Sequence, residues 1–282
     1  MFDPSKRTIR NRFVFVAGLH RTGTSLLARI IGSHPQVSSI ADAPVPENEG
    51  CYLQGGIPHT ALHGRPGHFA TDPAQHHTEV SPFNTLATQQ RMLADWSGWF
   101  EPTALWWLEK SPVNLTRMRL YQQLFPTCQF VVILRHPQVM AAALTKWTDR
   151  SPGELLDYGL NAYDRMREDF RWLHGAVVLR YEDLVARPDA VRRALFAFLS
   201  LDDVDPEIGV RDGNADYVCD APIDHRQEQR LAQWGYRPGG ETIPWQPLVA
   251  HPLRSVSEAV ALELAATSPV QAESLRLAPA AS

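Results

Sequence analysis

The stretch from Phe13 to Leu27 constrains the fold more than any other part of the chain. It opens with Phe-Val-Phe-Val-Ala-Gly, an apolar run that favours a buried strand of a parallel sheet. A short loop containing Gly18 and Gly23 follows, and the next residues carry apolar side chains at helical spacing. The stretch therefore predicts a strand–loop–helix unit. The amide groups that begin such a helix form an anion site, which the helix dipole strengthens.

The loop is close to the pattern that binds nucleotide triphosphates, but it departs from it at one position. Thr24 stands where that pattern requires lysine, and Arg21 places a cation earlier in the loop instead. A later apolar run, residues 130–135, ends in Arg-His and lacks the aspartate that holds Mg²⁺ in Walker-type sites. A nucleotide that needs no metal therefore fits this loop better than ATP does.

Composition places the chain among ordinary globular proteins. Its 282 residues, 44% hydrophobic and 21% charged, suit a single α/β domain over residues 1–282. The net charge of −4 argues against general binding to nucleic acid. Three widely spaced cysteines indicate a reducing compartment, and we recognise neither a targeting signal nor an apolar run that would span a membrane. We therefore expect a cytoplasmic protein, with its oligomeric state open.

Apolar runs alternate with helical patterns along most of the chain. Beyond the first unit, strands are predicted over 106–111, 130–135 and 176–181, and helices over about 85–100, 114–124, 153–173, from Pro188, 225–234 and 256–266. Such alternation favours a central, mostly parallel sheet with helices on both faces. This is the α/β class, with a loop similar to a P-loop.

Two segments lack this periodicity. Residues 43–82 are rich in proline, glycine and histidine but also hold aromatic and acidic side chains, so we interpret them as a lid facing the substrate. Five lid histidines, His59, His63, His68, His76 and His77, match no zinc-binding spacing. Residues 270–282 are rich in alanine and serine and are predicted to form a flexible tail.

Four residues lie at the predicted carboxyl ends of strands or next to them. Ligands of parallel sheets bind at this edge, so Gly18, Lys110, Arg135 and Tyr181 are expected to surround one site. Two arginines at separate strand ends, Arg21 and Arg135, suit a ligand with two separate phosphate groups.

Four segments, in this order along the chain, resemble motifs of the sulfotransferases that use 3′-phosphoadenosine 5′-phosphosulfate (PAPS). Leu19–Leu27 resembles the 5′-phosphosulfate loop of that family, and Glu109–Pro112 its Glu-Lys-Ser/Thr-Pro element. Phe130–Leu144, with Arg135-His-Pro137, is similar to the 3′-phosphate motif, and Leu179–Leu184 to the Tyr-Glu-Asp-Leu segment. The motifs are closest to the branch that acts on carbohydrates and protein tyrosines.

The resemblance implies in-line transfer of a sulfuryl group from PAPS to a hydroxyl of a small molecule, sugar or lipid, without a metal. In the family's pattern Arg135 binds the 3′-phosphate, Tyr181 lies near the adenosine, and Lys110 contacts the transferred group or the bridging oxygen. The loop residues that would hold the 5′-phosphosulfate are Arg21, Thr22, Gly23, Thr24 and Ser25. Arg21 would also stabilise the leaving phosphate.

The position of the general base is taken from the residue spacing in the family that the chain resembles. In the protein-tyrosine branch a catalytic glutamate lies 21 residues after the loop cation, and the corresponding position here is Asp42. Glu47, Glu49 and a lid histidine remain alternatives. The family's 3′-phosphate motif usually has serine eight residues after its arginine, where this chain has Ala143, so one hydroxyl contact to PAPS is expected to be lost.

Two other functions remain open at the level of the sequence. A P-loop nucleotide kinase or NTPase would share the α/β fold, but the absent loop lysine counts against it. A non-catalytic nucleotide-binding protein is the third possibility, and Ala143 supports it weakly.

Overall fold

A six-stranded sheet forms the centre of the protein. The computed structural model describes residues 11–206, 208–219 and 222–265, so the predicted tail at 270–282 lies outside the described residues. The strands, in chain order, are β1 Arg12–Gly18, β2 Val37–Ser39, β3 Trp106–Lys110, β4 Gln129–Leu134, β5 Ala176–Arg180, β6 Tyr236–Arg237, β7 Glu241–Thr242 and β8 Leu248–Ala250. The order in the large sheet is β2-β3-β1-β4-β5-β8, and β6 pairs with β7 in a separate hairpin.

The first five strands run parallel, and β8 pairs antiparallel with β5. The helices are α1 Thr24–Gly32, α2 Leu86–Trp96, α3 Met118–Leu124, α4 Pro137–Leu144, α5 Pro152–Phe170, α6 Tyr181–Ala186, α7 Pro188–Phe198, α8 His225–Gln233 and α9 Arg254–Ala265. In the described part of the chain, none of these helices is both long and apolar enough to cross a membrane.

Both faces of the sheet are covered, because β1 sends alternate side chains into two apolar clusters. Phe13 and Phe15 belong to one cluster, with buried side chains of α2, α3, α4, α5 and α8. Val14 and Val16 belong to the other, with side chains of α1, α7 and α9. A strand buried on both sides reads as a continuous apolar run, as this one does. The predicted α/β fold is confirmed.

The sequence patterns did not predict the short strands, and some predicted boundaries differ from those in the structure. β2 and β8 have three residues each, too few for a period-2 pattern to be recognised. The helix expected from residue 114 begins as a 3₁₀ turn, Pro112–Thr116, before α3. Tyr181 starts α6 rather than ending β5.

The lid, residues 43–82, is packed against the domain. It holds four 3₁₀ turns, Pro46–Asn48, Gly50–Tyr52, Phe69–Thr71 and Pro73–Gln75. Its buried side chains Cys51, Ile57 and Phe69 join the same apolar cluster as Phe15. The indole of Trp96 donates a hydrogen bond to the Gly50 carbonyl at 2.8 Å. Part of the lid therefore belongs to the core.

Candidate active site

The loop between β1 and α1 makes a tight turn that only certain residues tolerate. Gly23 has φ 102°, and a Cβ there would stand 2.7 Å from Cδ2 of Tyr181. Thr22 is buried, and its hydroxyl donates to the Leu19 carbonyl at 2.7 Å. The turn leads directly into α1, whose first amides have no partner within the helix. The loop therefore presents backbone N–H groups toward the carboxyl edge of the sheet.

A cavity of about 600 Å³ opens over this loop. Its walls come from the loop, the ends of β3, β4 and β5, the lid, and residues 208–217, which we call the strap. The expected site residues on its walls are Arg21, Gly23, Thr24, Ser25, Lys110, Arg135 and Tyr181. A second cavity of about 610 Å³ lies beside it, along α1 and β2, and shares with it Ser25, Arg29, Glu47 and Lys110.

Arg135 is a buried cation with one unused donor. Its Nε donates to Asn214 Oδ1 at 2.7 Å and its Nη1 to the Arg21 carbonyl at 2.8 Å. Its Nη2 is buried and has no hydrogen-bond partner among the described residues. The guanidinium carbon lies 4.5 Å from the centre of the Tyr181 ring. A buried N–H without an acceptor costs free energy, so Nη2 of Arg135 is available to a ligand that supplies a hydrogen-bond acceptor.

The strap connects the two expected phosphate-binding cations. Besides Asn214, which accepts from Arg135, the hydroxyl of Tyr217 accepts from Arg21 Nη2 at 3.0 Å. Tyr181 holds the middle of the strap, because its hydroxyl donates to the Arg211 carbonyl and accepts from the Gly213 amide. The sequence did not reveal these strap residues, since the segment has neither periodicity nor a recognisable motif.

Lys110 lies at the junction of the cavity and the lid. The side chain is buried, and its Nζ donates to the Glu47 carbonyl at 2.9 Å and lies 3.5 Å from Glu49 Oε1. Ser25 Oγ lies 3.5 Å from Glu47 Oε2, which links the loop to the same junction. Lys110 is therefore held next to the loop by the lid.

Glu109, the neighbour of Lys110, faces the opposite side of the strand and is completely buried. Its carboxylate accepts hydrogen bonds from the Gly50 amide at 2.9 Å, from Asn114 Nδ2 at 2.6 Å and from the Ser111 hydroxyl. Glu109 thus anchors the lid to β3 rather than lining the cavity.

Glu49 is a cavity carboxyl with an altered proton affinity. Burial is the largest cause and raises its pKa to about 7, Lys110 opposes the rise, and Glu109 adds to it. Glu49 therefore exchanges a proton near neutral pH, which a general base requires.

Asp42 lies elsewhere. Its side chain is exposed, its φ is 52°, and it is not among the cavity-lining residues, whereas Glu47 and Glu49 are. Of the three expected catalytic residues, the structure brings Arg21 and Lys110 to the cavity and leaves Asp42 outside its walls. Counting residues from Arg21 carried no information on how the chain turns after β2.

The position where the family usually has serine offers no hydroxyl here. Ala143 is buried on α4, and the hydroxyl of Thr145 donates to the Ala142 carbonyl of its own helix at 2.8 Å. Neither residue is among the described cavity walls.

Comparison with known families identifies the chain. A sequence profile described as the sulfotransferase family matches residues 14–206, which include the loop, Lys110, Arg135 and Tyr181. The chain belongs to the sulfotransferase family. No match was found among curated protein sequences. In the described part of this sulfotransferase, no group of three or more histidine, cysteine or acidic side chains could hold a metal ion.

One solved structure supports the fold, and two others are similar at lower scores. The sulfotransferase domain from the curacin biosynthetic pathway is 14% identical, with a TM-score of 0.51 over 83% of this chain and 99% of that domain. STF1 from Mycobacterium tuberculosis H37Rv is 15% identical, with a TM-score of 0.46 over 70% of this chain and 69% of that one. A sulfotransferase from Alicyclobacillus acidocaldarius is 19% identical, with a TM-score of 0.44 over 73% and 89%. At 14% identity, the likeness to the curacin-pathway domain concerns the fold alone.

Proposed function

We propose that this sulfotransferase moves a sulfuryl group from PAPS to a hydroxyl of its acceptor. The observation that carries the proposal is Arg135 on the wall of the cavity into which α1 presents its first turn, with a buried Nη2 that has no hydrogen-bond partner among the described residues. Arg21 lies on the same cavity, so two cations serve two separate phosphate groups. A donor with phosphate at both the 3′ and 5′ positions matches this arrangement.

The two ends of PAPS would contact different parts of the wall. The first-turn amides of α1, with the hydroxyls of Thr24 and Ser25, would hold the 5′-phosphosulfate. Arg135 would take the 3′-phosphate, and Tyr181 would lie against the adenosine. Arg211 of the strap also lines the cavity, with its Nη2 2.6 Å from Asp216 Oδ1, and would supply the contact that Ala143 cannot make by turning from Asp216 to the 3′-phosphate.

In the transfer step the acceptor oxygen forms a bond to sulfur as the bond between sulfur and the bridging oxygen breaks. The electron pair of the broken bond stays on the 5′-phosphate oxygen, where Arg21 and Lys110 stabilise the developing charge. The hydroxyl proton goes to a carboxylate. We propose Glu49 for this role in place of Asp42, because Glu49 lines the cavity beside Lys110.

Ligand-induced thermal shift tests the donor. We expect adenosine 3′,5′-bisphosphate to raise the melting temperature without Mg²⁺. Stabilisation by ATP with Mg²⁺, and not by the bisphosphate, would instead support a nucleotide kinase or NTPase. Transfer from PAPS in an acceptor screen then separates an enzyme from a protein that only binds nucleotides.

Arg135→Ala tests the contact itself. Hydrogen bonds to charged groups contribute about 1.5–3 kcal/mol, so we expect the bisphosphate to bind about tenfold to a hundredfold more weakly, as measured by calorimetry. Arg171→Ala, at an exposed position after α5, is the matched control and should bind normally. Equal affinity in both variants would contradict the assignment of Arg135.

A further inference from the structure

One part of the cavity wall comes from the lid and from the residues around it, and we call it the lid-side wall. It consists of His20, Tyr52, Ala61, Pro66, Pro112 and Trp147. Glu47 and Glu49 of the lid also line the cavity, in contact with Lys110, and are not part of this wall. The rings lie close together: His20 is 6.4 Å from Trp147 and 5.4 Å from the buried Phe69, measured between ring centres. No strap residue belongs to this wall, so it is a separate surface facing the same cavity.

The lid-side wall carries no charge near neutral pH. Burial lowers the pKa of His20 to about 4, and Lys110 adds to the effect, so the ring is neutral. His59 stacks edge-on against Tyr52 with ring centres 4.6 Å apart, and burial lowers its pKa to about 3. The neighbouring charges of Glu49 and Lys110 face each other across 3.5 Å. An acceptor on this wall therefore meets rings and prolines, and it meets a charge at Trp147, where the guanidinium carbon of Arg21 lies 5.3 Å from the centre of the ring.

We propose that the acceptor is an uncharged alcohol or phenol with a largely apolar body, which packs against the lid-side wall. The inference rests on the proposed sulfuryl transfer and names its substrate class. A sugar would bring several hydroxyls, and each one buried without a partner costs binding energy. Among the six wall residues, only the Tyr52 hydroxyl, the His20 ring and the Trp147 indole carry polar side-chain atoms. Trp147 has 52% of its surface exposed, which leaves it available to cover an apolar ligand.

Binding of the acceptor is tested without turnover. The probe is 2-naphthol, titrated by calorimetry into protein saturated with adenosine 3′,5′-bisphosphate. We expect saturable binding with a negative heat-capacity change, the sign of apolar burial, and no saturable binding of glucose. Binding of glucose in preference to 2-naphthol, or no saturable binding of 2-naphthol, would overturn the proposal.

Matched variants locate the binding surface. Trp147→Ala and Ala61→Asp should each weaken 2-naphthol binding at least tenfold, whereas Trp172→Ala, which removes another exposed tryptophan outside the cavity, should leave it unchanged. Ala28→Asp places a charge in the second cavity. If Ala28→Asp abolished 2-naphthol binding while Ala61→Asp did not, the acceptor would lie in the second cavity and the proposal would be wrong.

Turnover gives a second, independent measurement. Along the primary alcohols from butanol to octanol, kcat/KM should rise about fourfold for each CH₂ group that the wall buries. A flat series would contradict an apolar acceptor surface. The thermal shift with the bisphosphate separates the two hypotheses. Its absence would remove the proposed donor, whereas a normal shift with transfer to sugars alone would remove only the acceptor class.

Discussion

At the scale of single residues, two glutamates near the carboxyl end of β3 have different surroundings. Glu109 is fully enclosed and receives hydrogen bonds from Gly50, Ser111 and Asn114. Glu49 lies at the cavity beside Lys110, and burial raises its pKa to about 7. The same type of side chain therefore anchors the lid in one position and is available for proton transfer in the other. Environment, rather than residue type, separates the two roles.

The first prediction concerns the pH dependence of catalysis. A base must be deprotonated, so kcat/KM should rise with pH up to about 7 and level off above it. In Glu49→Gln the rise of kcat/KM with pH, the acidic limb of the profile, should disappear, and the activity should fall about a hundredfold or more. The pH–rate profile with PAPS and a transferable alcohol measures both. A Glu49→Gln variant that kept the limb would exclude Glu49 as its source.

The same raised pKa has a consequence for stability. Folding favours the protonated form of Glu49. The contribution of this residue to the free energy of unfolding is therefore fully present below the unfolded pKa near 4.5 and is lost as the pH rises through about 7. The melting temperature of Glu49→Gln, relative to that of wild type, should therefore rise as the pH increases from 4.5 to 7. Glu101→Gln, at an exposed position, serves as the control. A melting-temperature difference that became smaller as the pH increased would contradict a raised pKa of Glu49.

At the scale of elements, the loop before α1 depends on a backbone that ordinary residues resist. Gly23 combines φ 102° with close packing, since a Cβ added there would stand only 2.7 Å from the Tyr181 ring. We expect Gly23→Ala to destabilise the protein by about 1–3 kcal/mol and to weaken bisphosphate binding. Both effects have one cause, because the turn that packs on Tyr181 also aims the amides of α1.

Gly153→Ala is the matched control for the loop. Gly153 lies in the first turn of α5, and a Cβ there meets nothing within 4 Å. Helix propensity then predicts a stability equal to wild type or up to about 1 kcal/mol higher, with normal ligand binding. Chemical unfolding and calorimetry on both variants provide the comparison. Similar behaviour of the two alanine variants would show that the loop conformation carries no special requirement.

At the scale of the whole molecule, the lid and the sheet share one apolar cluster. Phe69 of the lid is 1% exposed and belongs to the cluster that contains Phe15 of β1. Phe69→Ala should therefore lower the free energy of unfolding by about 3–5 kcal/mol, as a core substitution does. The measurement is the denaturant midpoint.

Leu86→Ala, at an exposed position of the first turn of α2, should change the free energy of unfolding by less than about 0.5 kcal/mol. A loss of under about 1 kcal/mol for Phe69→Ala would show that the lid opens separately from the core. Hydrogen exchange at the His77 amide, which donates to the Thr116 carbonyl at 2.8 Å, reports on the same coupling.

Much of this fold could be predicted because its information is local. The apolar runs at β1, β4 and β5 and the helical patterns after them are contiguous, and parallel pairing follows from their alternation. The short strands β2 and β8 escaped prediction because three residues carry no usable period, and their pairing depends on distant partners. The lid was expected from composition, but its packing into the core was not.

The sequence by itself determined the loop around Gly23, the arginines at strand ends and the order of the family motifs, since each is encoded in neighbouring residues. Tertiary structure alone decided which carboxylates line the cavity and which segment covers the cations. Lys110 forms a hydrogen bond with Glu47, 63 residues away in the sequence, and Arg21 forms one with Tyr217, 196 residues away. Contacts so remote arise only when the chain packs, and for that reason Glu49, rather than Asp42, lies beside Lys110.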